Sequence, residues 1–195
     1  MPPHYSVQMI EIRPGSPGDA PEIARVRRDS WHAAYEGIIA APIIDRATAL
    51  GAAAAHPPPY RRTVVAEGGE HPAVIGYASF GPERRVASAF TPAGSPGGAD
   101  PGNPLTADGQ ARLVGELYAL YVTPSWWSTG TGRALMDHVL TALMGEGYPR
   151  VVLWVLDDNA RARRFYERAG FTADGGTNVI TGLGDLLELR YTRDL

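Results

Sequence analysis

The chain is 195 residues long, enough for one well-filled core and short for two ordinary domains, and no apolar run approaches the ~20 residues of a membrane helix. It holds no Cys and no Lys. All 18 basic residues are Arg, which excludes disulfides, zinc–thiolate sites, an enzyme-bound thioester, a Schiff-base lysine and a P-loop lysine. A net charge of −3 lacks the basic footprint of a nucleic-acid binder, and a start at Met1-Pro2-Pro3-His4, without a basic and apolar leader, points to the cytoplasm.

Val7–Arg13 reads as a first strand, stopped by Pro14-Gly15-Ser16-Pro17-Gly18. Asp19 then opens a helix, with Glu22 as its capping-box partner and Pro21 in the first turn. Ile23, Val26, Ser30 and Ala33–Ala34 trace the inner stripe of this helix, Trp31 and Tyr35 lie one turn apart, and Gly37 ends it. A weaker helix is expected over Pro42–Ala55, closed by Pro57-Pro58-Pro59. Arg62–Glu67 and Ala73–Phe80 read as two strands joined at Glu67-Gly68-Gly69-Glu70. Thr91–Pro104 carries four Pro and four Gly in 14 residues without periodicity. Residues 88–111 are therefore expected to form a loop inserted into one domain spanning 1–195, because the flanking strands read as neighbours.

Leu113–Val122 is a strand whose apolar end suits the middle of a sheet. Pro124–Gly132 turns into a helix with Leu135, Val139, Ala142 and Leu143 as its buried stripe, ended by Gly145–Gly147. Val151–Leu156 is an apolar strand, and Asp157-Asp158-Asn159 caps a helix that places Ala162, Phe165, Tyr166 and Ala169 on one side, with Gly170 at C′. Phe171–Ala173 and Asp185–Thr192 are the last strands. A meander followed by strand–helix–strand–helix–strand makes the chain α/β, of the α+β kind.

Gly130-x-Gly132 at a helix start is where outward N–H groups and the helix dipole favour an anion, and glycine lets a phosphate approach the backbone. Ordinary loops share this spacing. The missing Lys excludes a P-loop, and Leu135 takes the third glycine position of a dinucleotide fingerprint.

Two longer stretches carry more. The first is Glu116-Leu117-Tyr118-Ala119-Leu120-Tyr121-Val122-x-Pro124 with Gly130-Thr131-Gly132-Arg133-Ala134-Leu135. The second is Leu153-Trp154-Val155-x-x-x-Asn159-x-x-Ala162-x-x-Phe165-Tyr166-Glu167-x-x-Gly170-Phe171. Together they resemble the two signatures of the GNAT superfamily of N-acetyltransferases. Ile12-Arg13-Pro14, Asp19-Ala20 and Trp31-x-x-x-Tyr35 are similar to that family's first strand and helices, so the resemblance covers the chain. It implies a mixed, mostly antiparallel sheet of about seven strands, splayed at a cofactor cleft and flanked by about four helices. It also implies acetyl transfer from acetyl-CoA to a primary amine, on a small molecule or a protein N-terminus, and homodimers are common among such proteins. With no cysteine, the amine attacks directly in a ternary complex. The alternative is an acyl-CoA-binding regulatory module without turnover. The loop departs from the family pattern at Trp127, where Gln or Arg is usual, and at Ser128 and Thr129, whose hydroxyls become candidate phosphate donors.

Carried over residue by residue, the resemblance assigns the cofactor to the backbone of Leu120, Tyr121 and Val122 and to Ser128, Thr129, Gly130, Thr131, Gly132, Arg133 and Ala134. Asn159, which can also cap its helix, would bond the pantetheine arm beside Ala162 and Tyr166. Arg164, or Arg163, would reach the 3′-phosphate, within a cluster (Arg161, Arg163, Arg164 and Arg168, with Glu167) that also suits a solvated helix face. Glu116 stands as general base or as a solvated strand-end charge, and Tyr166 as the acid for the departing thiolate or as a core aromatic. Trp31, Tyr35, Tyr118 and Glu116 would line the acceptor pocket, although a Trp–Tyr pair at i, i+4 equally suits a core. His4, His32, His56, His71 and His138 have no ligand spacing, so no metal is expected.

Overall fold

Seven strands and four helices are built from residues 10–52, 60–69, 73–84 and 114–195, which are those the computed structural model describes. They run β1 (Glu11–Pro14), α1 (Ala20–Tyr35), α2 (Ala41–Ala52), β2 (Arg62–Gly68), β3 (Ala73–Pro82), β4 (Val114–Val122), α3 (Thr131–Gly145), β5 (Arg150–Leu156), α4 (Ala160–Arg168), β6 (Thr172–Ile180) and β7 (Leu186–Asp194). The strand order is β1-β2-β3-β4-β5-β7-β6. The β1–β2, β2–β3, β5–β7 and β6–β7 pairs are antiparallel and β4–β5 is parallel, the mixed sheet the sequence led us to expect. Val7 and Met9, the end of the second helix at 53–55, Pro57–Pro59, Glu70, Leu113 and the 88–111 insertion lie outside the described residues.

The residues group into two compact units, Met1–Phe80 with Tyr118–Val139, and Gly81–Leu117 with Leu140–Leu195, so β3, β4 and α3 each run through both. In the first unit, Val26 of α1 meets Val65, Val74 and Tyr77, with Ile23, Ala119 and Tyr121 packed around them. Val26 and Val65 are fully buried, and each such side chain is worth about 1.5–3 kcal/mol of apolar transfer. Ala33, expected inside, is exposed. Gly76 leaves little room for a side chain: a Cβ there would sit 3.0 Å from the Tyr121 carbonyl and 3.2 Å from Leu135 of α3. The Asp19–Glu22 capping box does not form. Asp19 accepts from the backbone N–H and hydroxyl of Ser16 and from Arg13 instead, while Glu22 takes the Val74 N–H of β3 at 2.7 Å. A second strand offering an unpaired donor outcompeted the local cap. Pro14, expected to stop the first strand, is its last residue and pairs with Val64 at the sheet edge, where a missing N–H costs nothing.

In the second unit, α4 lies on the face that carries Leu153, Tyr191 and Leu189, because the Tyr191 hydroxyl donates to Glu167 and accepts from Arg163. Leu143 of α3 packs where Gly115 leaves space, with its methyl carbons 3.1 Å from a Cβ built there. On α3 the buried apolar residues are Leu135, Met136, Val139, Leu140 and Leu143, a wider stripe than expected, and Ala142 is half-buried. β6 is longer than the sequence suggested, Thr172–Ile180 rather than Phe171–Ala173, with a register shift between Ala173 and Thr177. β7 starts one residue late because Asp185 takes a left-handed φ of 59° in the preceding turn.

Candidate active site

The turn between β4 and α3 is built on Val122. Its carbonyl accepts from the Ser30 hydroxyl of α1 at 2.9 Å and from the Trp127 indole N–H at 2.7 Å. The residue that departs from the family pattern is therefore a structural donor, and the Val122 carbonyl is committed within the fold. The Thr129 hydroxyl donates to the Trp126 carbonyl at 2.8 Å and lies 2.9 Å from the Thr131 hydroxyl, which is buried. Thr129 thus braces the turn, which its reading as a phosphate donor did not foresee. Gly130 has φ 99°, a conformation that L side chains rarely adopt, and open space where a side chain would stand. Ala134 closes the first helical bond onto the Gly130 carbonyl at 2.9 Å, so the N–H groups of Thr131, Gly132 and Arg133 point out of the helix end. Arg133 is exposed and faces Asp137 one turn on at 3.6 Å. Leu120 and Tyr121 are half-buried on β4.

Around Tyr121, the Tyr77 ring sits 5.6 Å away and the Trp31 ring 6.4 Å, and Trp31 packs edge-on against Tyr35 at 5.1 Å. Trp31 is 9% exposed, its indole N–H is buried without a partner among the described residues, and Arg27 lies over its ring. Burial pushes the Tyr77 hydroxyl far above its ordinary value. Tyr118 is stacked under the Arg61 guanidinium at 5.0 Å. A groove between α1 and α2 is lined by Asp29, His32, Glu36, Ile38, Ile39 and Ile44, and neither Trp31 nor Tyr35 is part of its wall.

In the second unit Asn159 is buried and accepts the Ala162 N–H at 3.0 Å, the expected cap of α4. Ala162 and Tyr166 are half-buried, and the Tyr166 ring meets Phe165 at 5.3 Å and Phe171 at 6.2 Å. Arg163 is taken by Tyr191 and Asp157, the Tyr191 bond first among the causes that raise its proton affinity, whereas Arg164 is exposed.

Glu116 is 0% exposed, so the solvated-charge reading is overturned. Its carboxylate accepts the backbone N–H of Arg84 at 2.7 Å and the Arg84 guanidinium through Nε and Nη2. Strand register puts Glu116, Val152, Trp154, Arg190 and Glu188 on one face, opposite to that of Tyr191 and α4. Arg190 bonds Asp174 at 2.8 Å and approaches Glu83 at 3.5 Å. Burial raises the carboxyls of Glu83 and Glu188 above the usual range, and the Glu116 charge adds to the rise. The Trp154 indole N–H on this face is buried without a partner among the described residues. Arg84, Glu83 and Glu188 were missed from the sequence, where no local spacing links them to Glu116.

The family model for the acetyltransferase (GNAT) family matches residues 22–171. A mycothiol acetyltransferase from Beutenbergia cavernae is 50% identical over 59 residues, which is 30% of this chain and only 20% of that protein's length. An uncharacterized N-acetyltransferase of Bacillus subtilis, YuaI, is 28% identical over 154 residues, covering 77% of this chain and 74% of that one. Among solved structures, the PaiA N-acetyltransferase of Thermoplasma acidophilum, determined in complex with coenzyme A, superposes with a TM-score of 0.69 at 17% identity over 96% of this chain and 99% of its own. That likeness establishes the shared fold. The family match spans both signatures, the Gly130 turn and the Asn159-capped helix alike, and the chain belongs to the GNAT acetyltransferase family.

Proposed function

We propose that this chain transfers an acetyl group from acetyl-CoA to the primary amine of a small-molecule or protein N-terminal acceptor, by direct attack with both substrates bound. The observation that carries the reading is the turn into α3, where Gly130 leaves open space beside a helix end whose N–H groups of Thr131, Gly132 and Arg133 point outward. That arrangement fits a pyrophosphate. Ser128 and Ala134 flank it, Leu120 and Tyr121 offer main-chain groups to a pantetheine arm, and the Asn159 side chain, beside Ala162 at the start of α4, is the further partner for that arm. Arg164 is an exposed cation suited to a 3′-phosphate.

When bound, acetyl-CoA supplies the acyl group as a thioester, so the attacking amine must shed a proton and the departing sulfur must gain one. Tyr166 has a phenol, with an ordinary pKa near ~10, suited to giving that proton to a thiolate. On the amine side, one carboxylate on the sheet face that carries Glu116 takes the proton. With no cysteine in the chain, no acyl group passes through an enzyme thiol.

Calorimetric titration with acetyl-CoA, against ATP and NAD, tests the reading. Selective binding followed by CoA release with an amine supports transfer. Selective binding with no release across an amine panel would favour the non-catalytic module, and binding of ATP or NAD in preference would overturn the donor.

A further inference from the structure

We infer that Glu188, rather than Glu116, is the carboxylate that accepts the amine proton, while Glu116 is committed to Arg84; the inference rests on the transfer reading above. A group that takes a proton from a substrate must offer it an oxygen. Glu116 is 0% exposed, and both its oxygens already accept from Arg84, one from the backbone N–H and one from the guanidinium. This pair ties the end of β3 to β4, next to the Glu83 N–H donating to the Val114 carbonyl at 2.8 Å.

Glu188 is placed differently. The β4–β5 ladder runs from Val114↔Arg150 to Leu117↔Leu153, and Glu188 lies opposite Leu156, three residues further along β5. It is half-buried on the Glu116 face, and one of its oxygens accepts from the Asn178 amide of β6 at 3.2 Å, which leaves capacity for a second donor. The charges acting on it are Arg84, which favours its ionised form, and Glu116, which opposes it. Arg190, next on the same face of β7, is bonded to Asp174 and close to Glu83, and β5 contributes the neutral Val152, Trp154 and Leu156. Burial keeps the Glu188 carboxyl more basic than an exposed one, as a proton acceptor requires. In the step itself, the proton leaves the amine nitrogen as its lone pair forms the N–C bond, and it settles on a Glu188 carboxylate oxygen.

The deciding measurement is the pH profile of kcat/KM for acetylation of one amine by the full chain and by Glu188→Gln, Glu116→Gln, Glu83→Gln, Arg84→Gln and Arg84→Lys. The amine's own titration is common to every variant. We expect Glu188→Gln to lower kcat/KM by about 100-fold and to abolish the acid limb, which survives in Glu116→Gln and Glu83→Gln. Arg84→Gln should move the limb to higher pH, because the Arg84 charge favours the ionised Glu188, and Arg84→Lys should restore it. If Arg84→Gln fails to fold, because Glu116 is left buried without its cation, the comparison of the three glutamate variants still decides. A limb that persists in Glu188→Gln, or disappears instead with Glu116 or Glu83, overturns the inference alone. A full chain that binds acetyl-CoA and turns over no amine overturns the transfer reading, and the inference with it.

Discussion

The Trp127 indole N–H donates to the Val122 carbonyl at 2.7 Å, so a side chain that departs from the family's loop pattern holds the end of β4 against the turn into α3. Trp127→Phe removes this bond but leaves the carbonyl its Ser30 partner. We expect a loss of about 1 kcal/mol, seen as a fall of about 2–4 °C in Tm. A loosened turn should raise KM for acetyl-CoA several-fold with kcat within about twofold, the pattern of lost uniform binding. An unchanged KM would show that the bond serves stability only.

Tyr166 packs on Phe165 and Phe171, and Tyr166→Phe keeps those ring contacts while deleting the hydroxyl. If the phenol supplies the proton to the leaving sulfur, kcat should drop about 10- to 100-fold with KM for acetyl-CoA nearly constant. Steady-state kinetics on one amine settles it, and an unaltered kcat removes Tyr166 as the acid.

Asn159 caps α4 through the Ala162 N–H. Asn159→Ala should cost about 1 kcal/mol, whereas Asn159→Asp should cost little, since a carboxylate both accepts that bond and complements the helix dipole. Urea denaturation of the three proteins gives the comparison, and equal losses in both variants would contradict the capping role.

Asp19 is held well below the usual carboxylate range by the Arg13 guanidinium first, and then by the Ser16 N–H and hydroxyl. Its folded value lies below its unfolded one. The stabilisation it brings is therefore complete above about pH 4 and is lost as pH falls toward the folded value. Asp19→Asn should lower stability by about 2 kcal/mol at pH 7, and the gap to the parent should narrow in melts at progressively lower pH. A gap independent of pH would mean that packing, not charge, accounts for the loss.

Much of the fold was legible because it follows from local rules. The i, i+4, i+7, i+8 spacing of Leu135, Val139, Ala142 and Leu143 marks α3, and Asn159 before an amphipathic run marks α4, in both cases because helical geometry ties a residue to others about two turns away. Gly130-x-Gly132 ahead of α3 is a local signal of the same kind, since a left-handed φ selects glycine. β6 was nearly invisible. Thr172–Ile180 is rich in Gly, Asp, Thr and Asn and exposed along much of its length, so its strand character comes from pairing with β7. The capping box at Asp19 and Glu22 matched the local rule but lost to Arg13, six residues before Asp19, and to the Val74 N–H, 52 residues after Glu22. Arg84 and Glu116 stand 32 residues apart, and Ser30 and Val122 92 apart. Sequence periodicity reaches one helical turn or one strand. Which buried carboxylate receives a cation, and which carbonyl receives a hydroxyl, is set where distant segments meet, because burial makes an unpaired polar group too costly and the nearest partner in space satisfies it.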